Sequence, residues 1–257
     1  MTLSLFDLTG RVAVVVGGTS GIGRRLALGL AAAGADVAAT GRRAALVDEV
    51  SGEIARHGRR TLAMAADVAD SGSLVRLRER CLETFGRIDI VVAAAGITKR
   101  VPSSEMGEGD WQRIVDTNLT GTWRTCRVFG APMLERGHGR VITIASLSSF
   151  VGLHEVAAYT ASKAGVAGIT RALAVEWGAR GVTVNALAPG VFRTDMNETL
   201  LDSPRGREFL MRTPMARFGR LDELVGAAVF LASEAASFVN GHVLVVDGGL
   251  LASGVNQ

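Results

Sequence analysis

The sequence predicts an α/β fold in which a doubly wound sheet of seven parallel strands forms one domain over residues 1–257. Two observations lead to this prediction. Short runs rich in Val, Ile and Ala alternate with amphipathic helical patterns along nearly the whole chain, which is typical of repeated βαβ units. No internal repeat or low-complexity linker interrupts the alternation, so the sequence indicates no domain boundary.

The predicted strands are β-branched or alanine-rich runs between turn residues, as expected for strands covered on both faces. They are Val12–Val16, Asp36–Thr40, Thr61–Ala65, Ile88–Ala93, Arg140–Ala145, Thr183–Ala188 and His242–Val246. The predicted helices lie between them and place apolar residues at helical spacing. They are Gly21–Ala33, Arg43–His57, Ser71–Phe85, Asp110–Arg136, Ala157–Ala179 and Leu221–Ser233.

The segment 190–220 departs from the alternation. It contains Pro204 and Pro214 and has only short helical patterns, around Asp195–Leu201 and Gly206–Arg212. It directly follows the carboxyl end of a predicted strand, where α/β sheets bind ligands. Long loops at such places are often lids, so we expect a substrate lid at about 190–220, with a peripheral helical hairpin as the alternative.

Composition excludes several classes of protein. A net charge of +3 is small for 257 residues, and the arginines alternate with acids, so no nucleic-acid partner is expected. No apolar run reaches the roughly 18 residues needed to span a bilayer, and the start lacks a signal-peptide pattern. Cys81 and Cys126 share no metal-binding spacing with each other or with the four histidines. We therefore expect no metal, buried reduced thiols and a cytoplasmic protein.

A glycine-rich turn follows the first predicted strand and leads into a helix. The stretch Gly17–Gly23 carries glycine at positions 17, 18, 21 and 23. Glycine lets the backbone turn tightly and approach a pyrophosphate, which the free N–H groups of the helix N-terminus attract. The turn is therefore a candidate dinucleotide site, although glycine turns also occur at ordinary loops.

Tyr159 is the only tyrosine, and Lys163, one of two lysines, follows it by four residues. On a helix this spacing puts both side chains on one face. A cation about 4 Å from the phenol would contribute roughly 4 kcal/mol at an effective dielectric near 20, which would lower its pKa towards the working range of a general base. Ser146 ends a predicted strand thirteen residues before Tyr159 and can donate to a substrate oxygen.

These motifs together resemble the short-chain dehydrogenase/reductase family, from Leu8 to Leu251, which implies a Rossmann fold. The glycine turn is similar to the family's TGxxxGIG, Ala93–Gly96 to its NNAG and Val246–Gly249 to its closing signature. The resemblance implies that the following residues bind a nicotinamide cofactor: Gly17, Thr19, Ser20, Gly21, Ile22, Gly23, Arg42, Arg43, Asp67, Val68, Ala95, Gly96, Tyr159, Lys163, Pro189, Gly190, Val191 and Thr194.

The same resemblance implies a catalytic tetrad of Asn118, Ser146, Tyr159 and Lys163. Tyr159 would exchange a proton with the substrate oxygen while Ser146 hydrogen-bonds that oxygen. Lys163 would lower the Tyr159 pKa and hold the nicotinamide ribose, and Asn118 would anchor a water in the proton relay. Val16, Ala93 and Ala94 depart from the family pattern by replacing a Thr and two Asn, which implies weaker local ties between strands and loops.

The end of the second strand indicates the cofactor. An NAD-selective site carries a carboxylate there for the ribose 2′-hydroxyl, but this chain has Gly41, followed by Arg42 and Arg43. Arginine suits a 2′-phosphate, so we expect NADP(H) to be preferred over NAD(H). The alternative is that both arginines are merely solvated at a helix start.

The substrate prediction rests on two loops. Ile97–Pro102 and Phe238–His242 resemble the sugar-acid branch of the family, which includes gluconate 5-dehydrogenase and 2-dehydro-3-deoxygluconate dehydrogenase, and Lys99 and Arg100 would suit a carboxylate. The alternatives are a 3-oxoacyl carrier-protein reductase or other carbonyl reductase, and a non-catalytic NADP-binding regulator. By resemblance a homotetramer is expected, with Gly165, Ala167 and Gly168 permitting close packing between subunits.

Overall fold

The computed structural model describes residues 3–194 and 202–254. Its sheet has six parallel strands in the order β2-β1-β3-β4-β5-β6. Their bounds are Val12–Val16 (β1), Asp36–Thr40 (β2), Ile90–Ala93 (β3), Gly139–Ile144 (β4), Val182–Pro189 (β5) and Val243–Val246 (β6). The predicted doubly wound α/β domain is thus confirmed.

The described helices cover both faces of the sheet. They are Gly21–Ala32 (α1), Ala44–Arg56 (α2), Ser71–Phe85 (α3), Glu108–Val115 (α4), Gly121–Arg136 (α5), Ala157–Trp177 (α6), Pro204–Arg212 (α7) and Val225–Ala232 (α8). The predicted helix around Asp195–Leu201 lies outside the described residues. No helix in the described ranges is both long and apolar enough to cross a membrane.

Burial of both sheet faces explains the apolar strands. In β1, Ala13 and Val15 pack into a core with α1 and α8, whereas Val12, Val14 and Val16 pack into a second core with α3, α5 and α6. Successive side chains of a strand point to opposite faces, so both sets of side chains in a doubly covered strand are buried, which favours apolar residues at most positions. Cys81 and Cys126 are unpaired and buried in the second core, as expected.

Two predicted elements differ from the structure. The segment 61–65 is not a seventh strand, because it makes one bridge, between Thr61 and Val37, and then follows β2 without a ladder. The predicted helix Asp110–Arg136 is instead α4 and α5 joined by a π-helical segment, Asp116–Thr120. A π segment inserts one extra residue per turn, which rotates the side chains that follow it.

The small residues of α6 serve mostly their own chain. A Cβ on Gly165 would lie 2.8 Å from Leu119 Cδ1, and Ala167 is buried in the described chain. Only Gly168, of the three predicted to face another subunit, has open space around it. The expectation that Gly165 and Ala167 permit packing between subunits is therefore wrong, because both already pack within the molecule.

The segment 190–220 leaves the body and returns to the same place. Its ends are joined where Phe192 bridges Gly219 and the Gly219 N–H donates to the Val191 carbonyl at 2.9 Å. Between them lies α7, which begins after the N-cap Ser203. The described ends of this segment are therefore anchored to each other at its base.

Candidate active site

Three predicted catalytic side chains meet beyond the carboxyl end of β4. Ser146 follows β4 by two residues, while Tyr159 and Lys163 lie one turn apart on α6. The Tyr159 phenol lies close enough to the Ser146 side chain to interact with it, and Lys163 Nζ lies 5.7 Å from the centre of the Tyr159 ring. Lys163 Nζ also donates to the Ile144 carbonyl at 2.6 Å. The structure therefore brings the predicted hydroxyl, phenol and ammonium together.

Burial decides the ionisation of these groups. It raises the pKa of the Tyr159 phenol, and the hydrogen bond with Ser146 offsets part of the rise. Burial lowers the pKa of Lys163 to about 8. The expected lowering of the Tyr159 pKa by Lys163 is thus wrong for this arrangement, because desolvation dominates and the ammonium donates to Ile144. At neutral pH the phenol keeps its proton and can act as an acid.

Ser146 has a second contact that the sequence left as an alternative. It is the N-cap of the short helix Leu147–Ser149, and its Oγ accepts from the Ser148 N–H at 3.2 Å. This bond fixes the position of the oxygen while leaving the hydroxyl proton to be donated elsewhere. The turn role and the predicted catalytic role are therefore compatible.

Asn118 lies in the π segment and is fully buried. Its Oδ1 accepts from the Ile97 N–H at 2.8 Å, and its Nδ2 donates to the Ile97 carbonyl at 2.9 Å and to Ser162 Oγ at 3.1 Å. The Ser162 hydroxyl donates to the Tyr159 carbonyl at 2.7 Å. Asn118 thus ties the loop after β3 to the helix that carries Tyr159.

The backbone carbonyl of Asn118 also has a side-chain partner. The side-chain amide is committed to protein partners, as described above, whereas the carbonyl accepts from Thr122 Oγ1 at 2.7 Å. The predicted water-anchoring role of Asn118 stays a prediction. Ser162 was not among the predicted site residues, although its position three residues after Tyr159 puts it on the same helix face.

The glycine turn has the close backbone contacts that a dinucleotide cradle needs. Gly17 has a φ of +85°, and a Cβ there would lie 2.4 Å from the Ala95 nitrogen. A Cβ on Gly23 would lie 2.0 Å from the Gly17 oxygen. Helix α1 begins at Gly21 with no acidic residue in its first turn, so its free N–H groups suit a pyrophosphate. These residues fit the predicted cofactor.

The other predicted cofactor residues line the same edge of the sheet. Thr194 returns to the glycine turn, where a Cβ on Gly21 would lie 3.6 Å from Thr194 Cγ2. Asp67 Oδ1 accepts from the Ala69 N–H at 2.9 Å. Val68 is buried and packs against Gly121. The remaining members are Ser20, Ile22, Ala95 and Gly96 beyond β1 and β3, and Pro189, Gly190 and Val191 at the end of β5.

Arg42 and Arg43 lie beside this edge, between β2 and α2. Both are exposed, and within the described chain neither side chain has an ion pair or hydrogen bond. Gly41 immediately precedes them and is half-buried. Two free guanidinium groups next to a position without a carboxylate suit a bound phosphate group.

The predicted substrate cations are already paired. Lys99 forms an ion pair with Asp110, which also pairs with Arg113. Arg100 Nε donates to Glu155 Oε2 at 2.6 Å. Glu155, at a φ of +63°, lies four residues before Tyr159 and was not predicted. The structure thus engages both cations in contacts within the chain.

A cavity of about 360 Å³ lies between the base of segment 190–220 and β6. Its walls include Val191, Thr213, Val246 and Gly248. None of the catalytic side chains described above lines it, so we do not assign the substrate to this cavity.

Comparison with known proteins gives full-length relatives. A family model described as Enoyl-(Acyl carrier protein) reductase matches residues 16–251. D-threitol dehydrogenase of Mycolicibacterium smegmatis is 41% identical over 95% of this chain and 94% of that protein. Gluconate 5-dehydrogenase of Gluconobacter oxydans is 39% identical over 97% and 98%. The crystal structure of a gluconate 5-dehydrogenase from Burkholderia cenocepacia J2315 with NADP and tartrate has a TM-score of 0.94 at 36% identity, covering 97% and 98%.

Proposed function

Since the chain belongs to the short-chain dehydrogenase/reductase family and is an oxidoreductase, we propose that it interconverts a secondary alcohol and a ketone with NADP(H). The observation that carries this proposal is the contact between Ser146, Tyr159 and Lys163 beside the glycine turn. A protein that only bound nucleotide would have no need of a buried phenol next to a hydroxyl donor. We infer that the non-catalytic regulator is the weaker alternative.

The proposed proton chemistry uses this chain's own side chains. In the reducing direction Tyr159 gives its proton to the carbonyl oxygen of the ketone, and Ser146 donates a hydrogen bond that stabilises the developing charge. In the oxidising direction the phenolate form of Tyr159 takes the proton back. Lys163 and Asn118 hold α6 against β4 and the loop after β3. A bound nicotinamide supplies or accepts the hydride.

For the substrate we propose a sugar acid such as gluconate or 5-ketogluconate. Two supports are the loops Ile97–Pro102 and Phe238–His242, which resemble the sugar-acid branch, and the gluconate 5-dehydrogenase relatives. In this proposal Arg100 or Lys99 exchanges its carboxylate partner for that of the substrate. Such an exchange is feasible because both cations are about half exposed and exposed ion pairs are weak.

A neutral polyol is the second candidate, and the paired cations favour it. With Lys99 held by Asp110 and Arg100 by Glu155, neither presents an uncompensated charge to a carboxylate. A relative named D-threitol dehydrogenase supports this candidate. A 3-oxoacyl thioester, the substrate of the acyl reductase alternative, is the third substrate to test.

We also propose that the protein prefers NADP(H) to NAD(H), because Arg42 and Arg43 have no partner within the described chain and lie beside Gly41. We infer a lid at about 190–220, supported by Arg205 of α7, whose Nη1 donates to the His154 carbonyl at 2.8 Å near the start of α6.

A homotetramer is supported by exposed apolar side chains such as Trp123 and Val175, and light scattering tests it. Buried thiols, with the pKa of Cys81 raised to about 12 by burial, agree with a cytoplasmic location.

The test is a set of initial rates with matched substrates. NADP⁺ and NAD⁺ are each offered with gluconate and glucitol, which differ in one carboxylate, and with threonate and threitol. NADPH is offered with a 3-oxoacyl thioester. Faster NADP-linked oxidation of the acids supports the sugar-acid proposal, and faster oxidation of the polyols supports the second candidate. Turnover of the thioester alone would contradict both.

A further inference from the structure

Gly41 and Thr19 face each other where β2 ends beside the glycine turn. A Cβ built on Gly41 would lie 2.7 Å from Thr19 Oγ1 and 3.1 Å from Thr19 Cγ2. Thr19 is 9% exposed, so it is packed on its other sides. Protein interiors are close-packed and tolerate little added volume. No side chain fits at position 41 while Thr19 keeps its place.

Three backbone hydrogen bonds hold the chain in place around this contact. The N–H groups of Gly17 and Gly18 both donate to the Thr40 carbonyl at 2.9 Å, and the Ala66 N–H donates to the Gly41 carbonyl at 3.1 Å. These bonds tie the end of β2 to the glycine turn and to the segment after residue 65. A shift of Gly41 away from Thr19 would stretch them, so the backbone cannot relieve the crowding at low cost.

The side chain of Thr19 also has little freedom. Thr is β-branched, and its Oγ1 and Cγ2 are both among the three atoms nearest to the Gly41 position. In each staggered χ1 rotamer of Thr19, at least one of these two heavy atoms stays near position 41. A new side chain at position 41 must therefore displace Thr19 rather than fit beside it.

We propose that Thr19 is a specificity-determining residue that excludes a carboxylate from position 41 and so keeps the nucleotide site open to a 2′-phosphate. A carboxylate at the end of the second strand is what selects the 2′-hydroxyl of NAD(H). Thr19 acts by occupying the space that this carboxylate needs, which is specificity through a repulsive element. This inference rests on the proposed preference for NADP(H).

The consequence is that positions 19 and 41 are coupled. Gly41→Asp alone should lose NADPH affinity through repulsion of the 2′-phosphate and gain little NADH affinity, because the new side chain is misplaced by Thr19. Thr19→Ala removes both crowding atoms. It leaves only the Cβ of residue 19, which lies 3.5 Å from a Cβ built on Gly41. The double variant should therefore bind NADH at least tenfold more tightly than Gly41→Asp does.

The experiment measures Kd for NADH and NADPH by fluorescence titration of four full-length proteins: the wild type, Gly41→Asp, Thr19→Ala and the double variant. A tenfold or larger improvement in NADH affinity from Gly41→Asp to the double variant supports the proposal. If Gly41→Asp alone binds NADH as tightly as the double variant, the proposal is overturned.

A second pair of variants tests the contact without nucleotide. Gly41→Ala adds only the Cβ, so it should lower Tm by several degrees, and the combination with Thr19→Ala should recover most of that loss. A Gly41→Ala protein that melts with the wild type would overturn the proposal. If the wild type binds NADH more tightly than NADPH, the proposed cofactor preference is contradicted. The contact between Thr19 and position 41 is tested separately by the melting temperatures.

Discussion

Lys163 Nζ donates a hydrogen bond to the carbonyl oxygen of Ile144 at 2.6 Å, which joins α6 to the end of the strand that leads to Ser146. The lysine is 4% exposed, so its ammonium is buried and this bond supplies one of its hydrogen-bond partners. Burial of a charge costs stability unless it is fully compensated. Burial of this ammonium therefore costs folding free energy, and the bond to Ile144 offsets part of that cost.

The first prediction concerns this cost. The pKa of Lys163 is about 8 in the folded protein and about 10.4 in an unfolded chain. Between these values the unfolded state binds more protons, so the contribution of Lys163 to stability rises with pH. Relative to Lys163→Met, the wild type should gain roughly 2.5 kcal/mol in free energy of unfolding from pH 7 to pH 10. Urea unfolding at both pH values measures this, and a difference independent of pH would contradict it.

Asn118 should matter for both stability and activity. Asn118→Ala removes the protein partner of the half-buried Ile97 N–H and carbonyl, which we expect to cost roughly 1–3 kcal/mol. Asn185 is a matched control, because it is equally buried and bridges the backbone of Val239 and His242 away from Tyr159. Denaturant unfolding should show similar losses for both alanine variants. At a temperature where both are folded, only Asn118→Ala should lose turnover, and equal activities would contradict the placement of Asn118.

Arg42→Ala tests the phosphate site directly. A charge-assisted hydrogen bond is worth roughly 1.5–3 kcal/mol, so NADPH should bind about 10- to 100-fold more weakly and NADH nearly as before. Arg56→Ala removes the same charge from the far, exposed end of α2 and should change neither Kd. Equal weakening of both nucleotides by Arg42→Ala would remove Arg42 from the phosphate site.

Glu155→Gln tests whether the Arg100 pair limits the substrate. The substitution neutralises the partner of Arg100 while keeping side-chain shape, so Arg100 becomes available to a carboxylate. We expect the ratio of kcat/KM for gluconate over glucitol to rise several-fold. Arg100→Gln, combined with Glu155→Gln, should return the ratio to the wild-type value. A ratio that falls in Glu155→Gln would show that Arg100 does not approach the substrate.

The sequence was sufficient for the fold and for predicting that Ser146, Tyr159 and Lys163 lie together. The strands β1 and β2 have their predicted bounds because each is an apolar run between turn residues, and Tyr159 and Lys163 meet because helical spacing alone places them together. The segment 61–65 has the composition of a strand, but its pairing depends on hydrogen bonds with β2 that composition does not encode. The π segment at Asp116–Thr120 is equally hidden, since one inserted residue leaves the apolar pattern almost unchanged.

The sequence alone did not predict which residues the charged side chains pair with. Arg100 pairs with Glu155, 55 residues away, and no sequence feature near Arg100 predicts that contact. The pKa of Tyr159 shows the same limit. The spacing to Lys163 was correctly predicted, but the direction of the shift depends on burial and on the Ile144 carbonyl, both of which arise from tertiary packing.

The most direct test of the account is Tyr159→Phe, measured for NADPH binding and for turnover. The variant removes one oxygen atom from the phenol and leaves the ring packing intact, so Tm and the Kd for NADPH should stay close to those of the wild type. Turnover should fall roughly 100- to 10,000-fold, the usual contribution of a general acid. A variant that binds NADPH and reduces the substrate at the wild-type rate would contradict the central role of Tyr159.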